Sequence, residues 1–134
     1  MATIVLDACA VIAYLRGEPG EEIVAEALAD PSTTCIAHKI NLLEVYYDVL
    51  RQKGEQEATK VLEYLRGDGL ETSSEFRWSY LQKIGTLKVR EKLSLADCFG
   101  FVLANQIGAV FLTSDHHEFD RLLDRYPEAI RFIR

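Results

Sequence analysis

Short runs in which nearly every position is apolar or β-branched alternate, along this chain, with longer stretches where apolar residues return every three or four positions. A run with both faces apolar fits a strand buried on both sides, and the longer spacing fits a helix with one buried face. Residues 3–6, 33–37, 70–72, 109–113 and 130–133 read as strands. Residues 10–16, 21–29, 38–53, 55–66, 94–106 and 117–124 read as helices, most of them closed by a glycine or proline that follows. Residues 74–92 also read as helical, with Gly85 weakening the middle and marking a candidate break. Strands alternating with helices predict an α/β fold whose central, mainly parallel β-sheet is covered on both faces.

Acidic residues interrupt this pattern where water-facing side chains are least expected. Asp7 directly follows the first strand and Asp115 follows strand 109–113, so both belong at the carboxyl edge of a parallel sheet, where ligands bind. Ile40, Leu43, Tyr47 and Leu50 define the expected buried stripe of helix 38–53, and Glu44 falls at its margin. Asp97 lies in the first turn of the helix that Ser94 caps, where free backbone N–H groups favour an anion. Carboxylates gathered at the edge of a core repel one another, an arrangement that a divalent cation among them resolves.

Each acid also has a structural reading. Asp7 and Asp115 fit N-caps, and Asp115-His116-His117-Glu118 has the spacing of a capping box. Asp97 stands at a similar spacing from Ser94, and Glu44 fits an ion pair with a nearby base. No single acid decides between the readings; convergence of Asp7, Glu44, Asp97 and Asp115 favours the cation. The histidines carry less weight, because adjacent side chains such as His116 and His117 point about 100° apart on a helix.

Length and composition narrow the class. A chain of 134 residues suits one domain over 1–134, and 49% hydrophobic with 27% charged residues is ordinary globular usage. The apolar run 8–15 is too short to cross a bilayer and follows Asp7 where a signal peptide would have basic residues. Cys9, Cys35 and Cys98, odd in number and far apart, read as small core residues of a protein in a reducing compartment. A net charge of −6 and pI of about 5.1 lower the expectation of nonspecific nucleic-acid binding. Arg77, Lys83, Lys88, Arg90 and Lys92 cluster against the single acid Glu91, and read first as a solvated helix face. No Gly-rich phosphate loop, Cys-pair zinc site or Gly-x-Ser-x-Gly elbow is present.

With these positions in hand, the chain resembles the PIN-domain ribonucleases, and among them the VapC-type toxins of type II toxin–antitoxin pairs. The residues that carry the likeness are Ile4-Val5-Leu6-Asp7 leading into Ala10 to Leu15, Glu18-Pro19-Gly20, Asn41-Leu42-Leu43-Glu44-Val45, Leu95-Ala96-Asp97 and Phe111-Leu112-Thr113-Ser114-Asp115. The resemblance implies a three-layer α/β/α sandwich and metal-dependent endoribonuclease activity, with Asp7, Glu44, Asp97 and Asp115 holding Mg²⁺ or Mn²⁺. It also implies Thr113 or Ser114 as support for Asp115, an RNA substrate, a VapB-type antitoxin partner, a homodimer and a cytoplasmic location. Many members carry a further Asp two residues after the last acidic motif; His117 stands there instead, which leaves Asp120 to substitute from one turn along. Three other readings stay open: a PIN nuclease of RNA processing, a PIN fold that binds without cleaving, and a receiver-like signalling domain. The last lacks an acidic pair after the first strand and an Asp after strand 70–72.

Overall fold

The computed structural model describes residues 2–134. Strands β1 (Ala2–Leu6), β2 (Thr33–His38), β3 (Leu70–Ser73), β4 (Val110–Thr113) and β5 (Ile130–Phe132) form one sheet in the order β3-β2-β1-β4-β5. Every neighbouring pair is parallel. Around it lie α1 (Ala8–Arg16), α2 (Glu21–Ala29), α3 (Lys39–Lys53), α4 (Glu55–Gly67), α5 (Trp78–Glu91), α6 (Leu95–Ile107) and the short α7 (His116–Phe119). A 3₁₀ turn, Asp120–Leu122, follows α7.

Side-chain alternation along the inner strands splits the core into two layers, as a sheet covered on both faces requires. Val5 and Phe111 point into a cluster with Tyr80, Ile84, Phe101 and Leu103 from α5 and α6. Leu6, Cys35 and Leu112 point the other way, against Ala10, Val24, Leu42 and Leu65 from α1 to α4. The result is the α/β/α sandwich expected from the strand and helix pattern. Cys35 and Cys98 are buried, Cys9 is partly so, and all three are free thiols.

Four expectations change on contact with the structure. On α3 the buried residues are Asn41, Leu42 and Val45, while Leu43, Tyr47 and Leu50 are 54%, 46% and 38% exposed and Ile40 is half-buried. Apolar residues cover more than half of this helix, leaving one polar stripe of Asn41, Glu44, Asp48 and Arg51, so periodicity does not single out which part of that broad apolar arc is buried; packing against α4, α1 and α6 does. The helix anticipated over 74–92 begins only at Trp78, because the Glu75 carboxylate accepts from the N–H groups of Phe76 (3.0 Å) and Arg77 (3.4 Å). Such local bonds compete with helix formation. Gly85 does not break α5, and the last helix is a single turn.

Gly20, before α2, sits at φ +96, and a Cβ there would stand 2.5 Å from the Ile133 carbonyl oxygen. Two penalties coincide: the left-handed backbone and a collision with the chain just after the edge strand. Gly85 has ordinary helical φ and nothing within 4 Å of the same added atom. Gly20→Ala is therefore expected to lower unfolding free energy by about 1–3 kcal/mol, and Gly85→Ala to leave it unchanged or raise it by up to ~1 kcal/mol. Denaturant titration of both variants checks the contrast, and equal effects would contradict it.

Candidate metal centre

The strand order places a topological switch point beside β1. From β1 the chain crosses to β2 on one side, while β4 lies on the other, so connections diverge at their carboxyl ends and leave a crevice. Asp7 is the first residue beyond β1 and Asp115 the second beyond β4. The ladder runs to the very edge of this crevice, since the Asp7 N–H still donates to Leu112 O at 3.2 Å.

Asp7 is fully buried. Its Oδ1 caps α1 by accepting from the Ala10 N–H at 2.8 Å, and its Oδ2 accepts from the Thr113 hydroxyl. The Thr113 oxygen in turn accepts from the Asp115 N–H at 3.0 Å. One buried hydroxyl thus fixes both the Asp7 side chain and the Asp115 backbone. Asp115 caps α7, its Oδ1 accepting from the Glu118 N–H at 3.0 Å. Ser94 caps α6 through the Asp97 N–H at 3.2 Å, which brings Asp97 to the same edge half-buried.

The capping readings of Asp7 and Asp115 are therefore correct, yet the charges converge all the same. Carboxylate oxygens of Asp97, Asp115 and Glu118 lie within 4.8 Å of one another. Glu118 is the residue that sequence reasoning placed in a capping box. Only half of that box forms: Thr113 takes the Asp115 N–H, so the Glu118 carboxylate is free to turn toward the other acids, with Arg121 at 3.6 Å behind it. The signal was the box spacing itself, with no rule to say that the return bond would be replaced.

Burial and mutual repulsion raise the proton affinity of these groups. Asp7 is pushed up to about 7, first by burial and then by Asp97 and Asp115, against the lowering effect of the Thr113 and Ala10 hydrogen bonds. Asp97 rises to about 6, chiefly by burial, with Asp115, Glu118 and Glu44 adding to it and Ser94 opposing. Glu44, half-buried on α3, is raised by burial and by Asp115. The Cys9 thiol is pushed up to about 12, by burial first and then by Asp7, Asp115, Asp97 and Glu44, so it stands in the field of all four acids. These oxygen donors at a half-buried edge suit a hard divalent cation, which their own repulsion invites.

Residues outside this group have structural duties. Asp120 accepts from His116 Nδ1 at 2.7 Å rather than joining the acids, and His116 Nε2 donates to the Arg134 carbonyl at 2.7 Å while its ring stacks on Phe132. Hydrogen bonding to Arg134 and Asp120 raises the His116 pKa. His38 caps α3, Nδ1 accepting from the Ile40 N–H at 3.0 Å, which leaves Nε2 to donate to Glu75 O at 2.8 Å. Ser114 is half-buried, and among the described residues its hydroxyl makes no hydrogen bond to the protein, so Thr113 alone does the orienting. On the basic segment, Arg77 pairs with Glu75, Lys83 reaches Gln106 at 3.3 Å and Lys88 reaches Leu93 O, as a structural helix face would have it.

A family model described as PIN domain matches residues 4–123. No curated protein matches by sequence. Among solved structures, VapBC-1 from nontypeable Haemophilus influenzae aligns at TM-score 0.74 and 16% identity over 98% of each chain. A toxin–antitoxin complex from Klebsiella pneumoniae aligns at TM-score 0.73 and 15% identity, again over 98% of each. VapC20 from Mycobacterium tuberculosis, described as a sarcin-ricin loop cleaving toxin, aligns at TM-score 0.62 and 14% identity over 79% of this chain and 84% of its own. At these identities the likeness is one of fold.

A carboxyl group whose folded pKa is raised holds its proton more tightly folded than unfolded. Its contribution to stability is full below the ordinary carboxyl range and is lost as pH rises through about 6 for Asp97 and about 7 for Asp7. Metal-free protein is accordingly expected to melt at higher temperature near about pH 5 than near about pH 8. Asp7→Asn keeps the cap acceptor, removes the charge, and should raise the melting temperature near about pH 8. Thermal melts in chelator check this; a melting temperature that climbs with pH across that range would contradict it.

Proposed function

The chain belongs to the PIN domain family, and from that membership we propose that residues 1–134 form one divalent-metal-dependent endoribonuclease of the VapC toxin type. The observation that carries the reading is the approach of Asp97, Asp115 and Glu118 within 4.8 Å at the carboxyl edge between β1 and β4. Asp7 and Glu44 lie outside that group of three but feel its charge, Asp7 from Asp97 and Asp115 and Glu44 from Asp115.

In this reading Asp97, Asp115 and Glu118 hold Mg²⁺ or Mn²⁺, with Asp7 behind them and Thr113 keeping Asp7 and Asp115 in register. A bound ion of this kind supplies positive charge to phosphate oxygens and Lewis acidity toward an attacking water. The protein supplies the rest. Asp7 and Asp115 are fixed by hydrogen bonds before any ligand arrives, so little reorganisation accompanies binding. Glu44, half-buried with a raised pKa, stands at the rim of the group to take the proton of the attacking water. The product ends expected in this family are 5′-phosphate and 3′-hydroxyl.

Partners follow from the same chemistry. The solved VapBC structures are complexes with antitoxins, and an acidic edge suits a VapB-type peptide that brings an Arg to the carboxylates. Exposed apolar side chains on α3 (Leu43, Tyr47) and α5 (Trp78, Val89) give surface for such a partner and for a homodimer. No helix among the described residues is long and apolar enough to cross a membrane.

Purified, antitoxin-free protein is expected to cleave cellular RNA with Mn²⁺ and to stop in EDTA. Glu118→Gln and Asp97→Asn should each cost roughly 10–100-fold or more in rate, whereas Asp120→Asn should stay near wild type. Wild-type protein that leaves every cellular RNA intact with Mn²⁺ would contradict the nuclease, and equal losses at Asp120 and Glu118 would contradict the assignment of the site.

A further inference from the structure

Asn41 is a fully buried polar residue to which none of the chemistry above gives a task. It lies one helical turn before Glu44 on α3. Its amide Nδ2 donates to the Ala96 carbonyl on α6 at 3.0 Å, and Ala96 immediately precedes Asp97. Its Oδ1 is buried with no hydrogen-bond partner among the described residues. What faces that oxygen is Gly100: a Cβ there would stand 2.9 Å from Oδ1 and 2.8 Å from Phe111 Cε1. Only glycine lets α6 come this close to both α3 and β4.

For stability alone this is a poor solution. Burying an amide with an unpaired acceptor costs more than burying an apolar group of the same size. What the amide provides instead is position, because its single bond ties the turn that carries Glu44 to the turn that presents Asp97. We infer that Asn41 is a positioning residue, which through Ala96 sets where the Asp97 carboxylate stands relative to Glu44 and the acids of α7. The inference rests on the metal-site reading above.

The test separates position from fold by using a readout other than turnover. Mn²⁺ affinity is measured by electron paramagnetic resonance for the wild type and for Asn41→Leu, which keeps the branched shape in a somewhat larger side chain with nothing left to satisfy. The variant is expected to fold, to melt in chelator no lower than the wild type, and to bind Mn²⁺ roughly 10-fold more weakly. With RNA it should lose kcat while KM is unchanged. Asn41→Ala, with a smaller side chain, provides the same comparison where leucine does not fit. Wild-type affinity in a folded variant would overturn the positioning role and leave the metal site intact. Failure of both variants to fold would also overturn it, by making Asn41 a residue of the fold. Failure of the wild type itself to bind Mn²⁺ would overturn the metal-site reading, and this inference with it.

Discussion

A carboxylate buried completely at the end of the central strand, with others gathered in front of it, is the constraint around which this molecule is arranged. Asp7 has no contact with water, and its charge is opposed by burial and by Asp97 and Asp115. It is held there by the Ala10 N–H and the Thr113 hydroxyl, the latter also fixing Asp115. Removing water from a charge without a cation to match it is expensive. The edge of the sheet therefore holds a repulsion that a divalent ion would relieve, and the feature that lowers metal-free stability is the one on which the proposed metal site rests.

The topology explains why this happens at one place. Parallel strands β1 and β4 end side by side where their connections part, so Asp7 and Asp115 arrive together with no long-range design beyond the strand order. Helix termini bring the others: Ser94 starts α6 with Asp97 in its first turn, and Asp115 starts α7 with Glu118 in its own. Each N-cap is both a structural device and a means of aiming a carboxylate. A capping role and a ligand role are therefore compatible for Asp115 and Asp97, since the caps use one Asp115 oxygen and the Asp97 backbone N–H, whereas both Asp7 oxygens are already engaged.

Much of this was legible from residue order. Buried strands such as β1 announce themselves by being apolar on both faces, and an acid directly after such a strand has only the carboxyl edge to occupy. The Ser94 cap and the glycine ends of α1, α3 and α6 were equally direct. Glu118 was not, because capping-box spacing names two reciprocal bonds, and only the tertiary contact of Thr113 with Asp115 cancels one of them. The buried face of α3 differs from the expected one for another reason: its apolar arc is broader than the face that packs, so the choice within it belongs to the packing of α4, α1 and α6. Asn41 was legible as the start of the Glu44 motif, but its burial was not, since that follows from the face the packing selects. Local bonds of Glu75 likewise delayed the start of α5 where periodicity alone ran on.

Whether a cation occupies the acidic edge is the point on which the account turns. Crystals of the antitoxin-free protein grown with Mn²⁺, with diffraction collected at the manganese absorption edge, answer it by locating the metal directly. An anomalous peak among the carboxylates of Asp97, Asp115 and Glu118, beside Asp7, is the predicted result. Full-length protein showing no peak there, or manganese bound only at His117 or elsewhere on the surface, would contradict it.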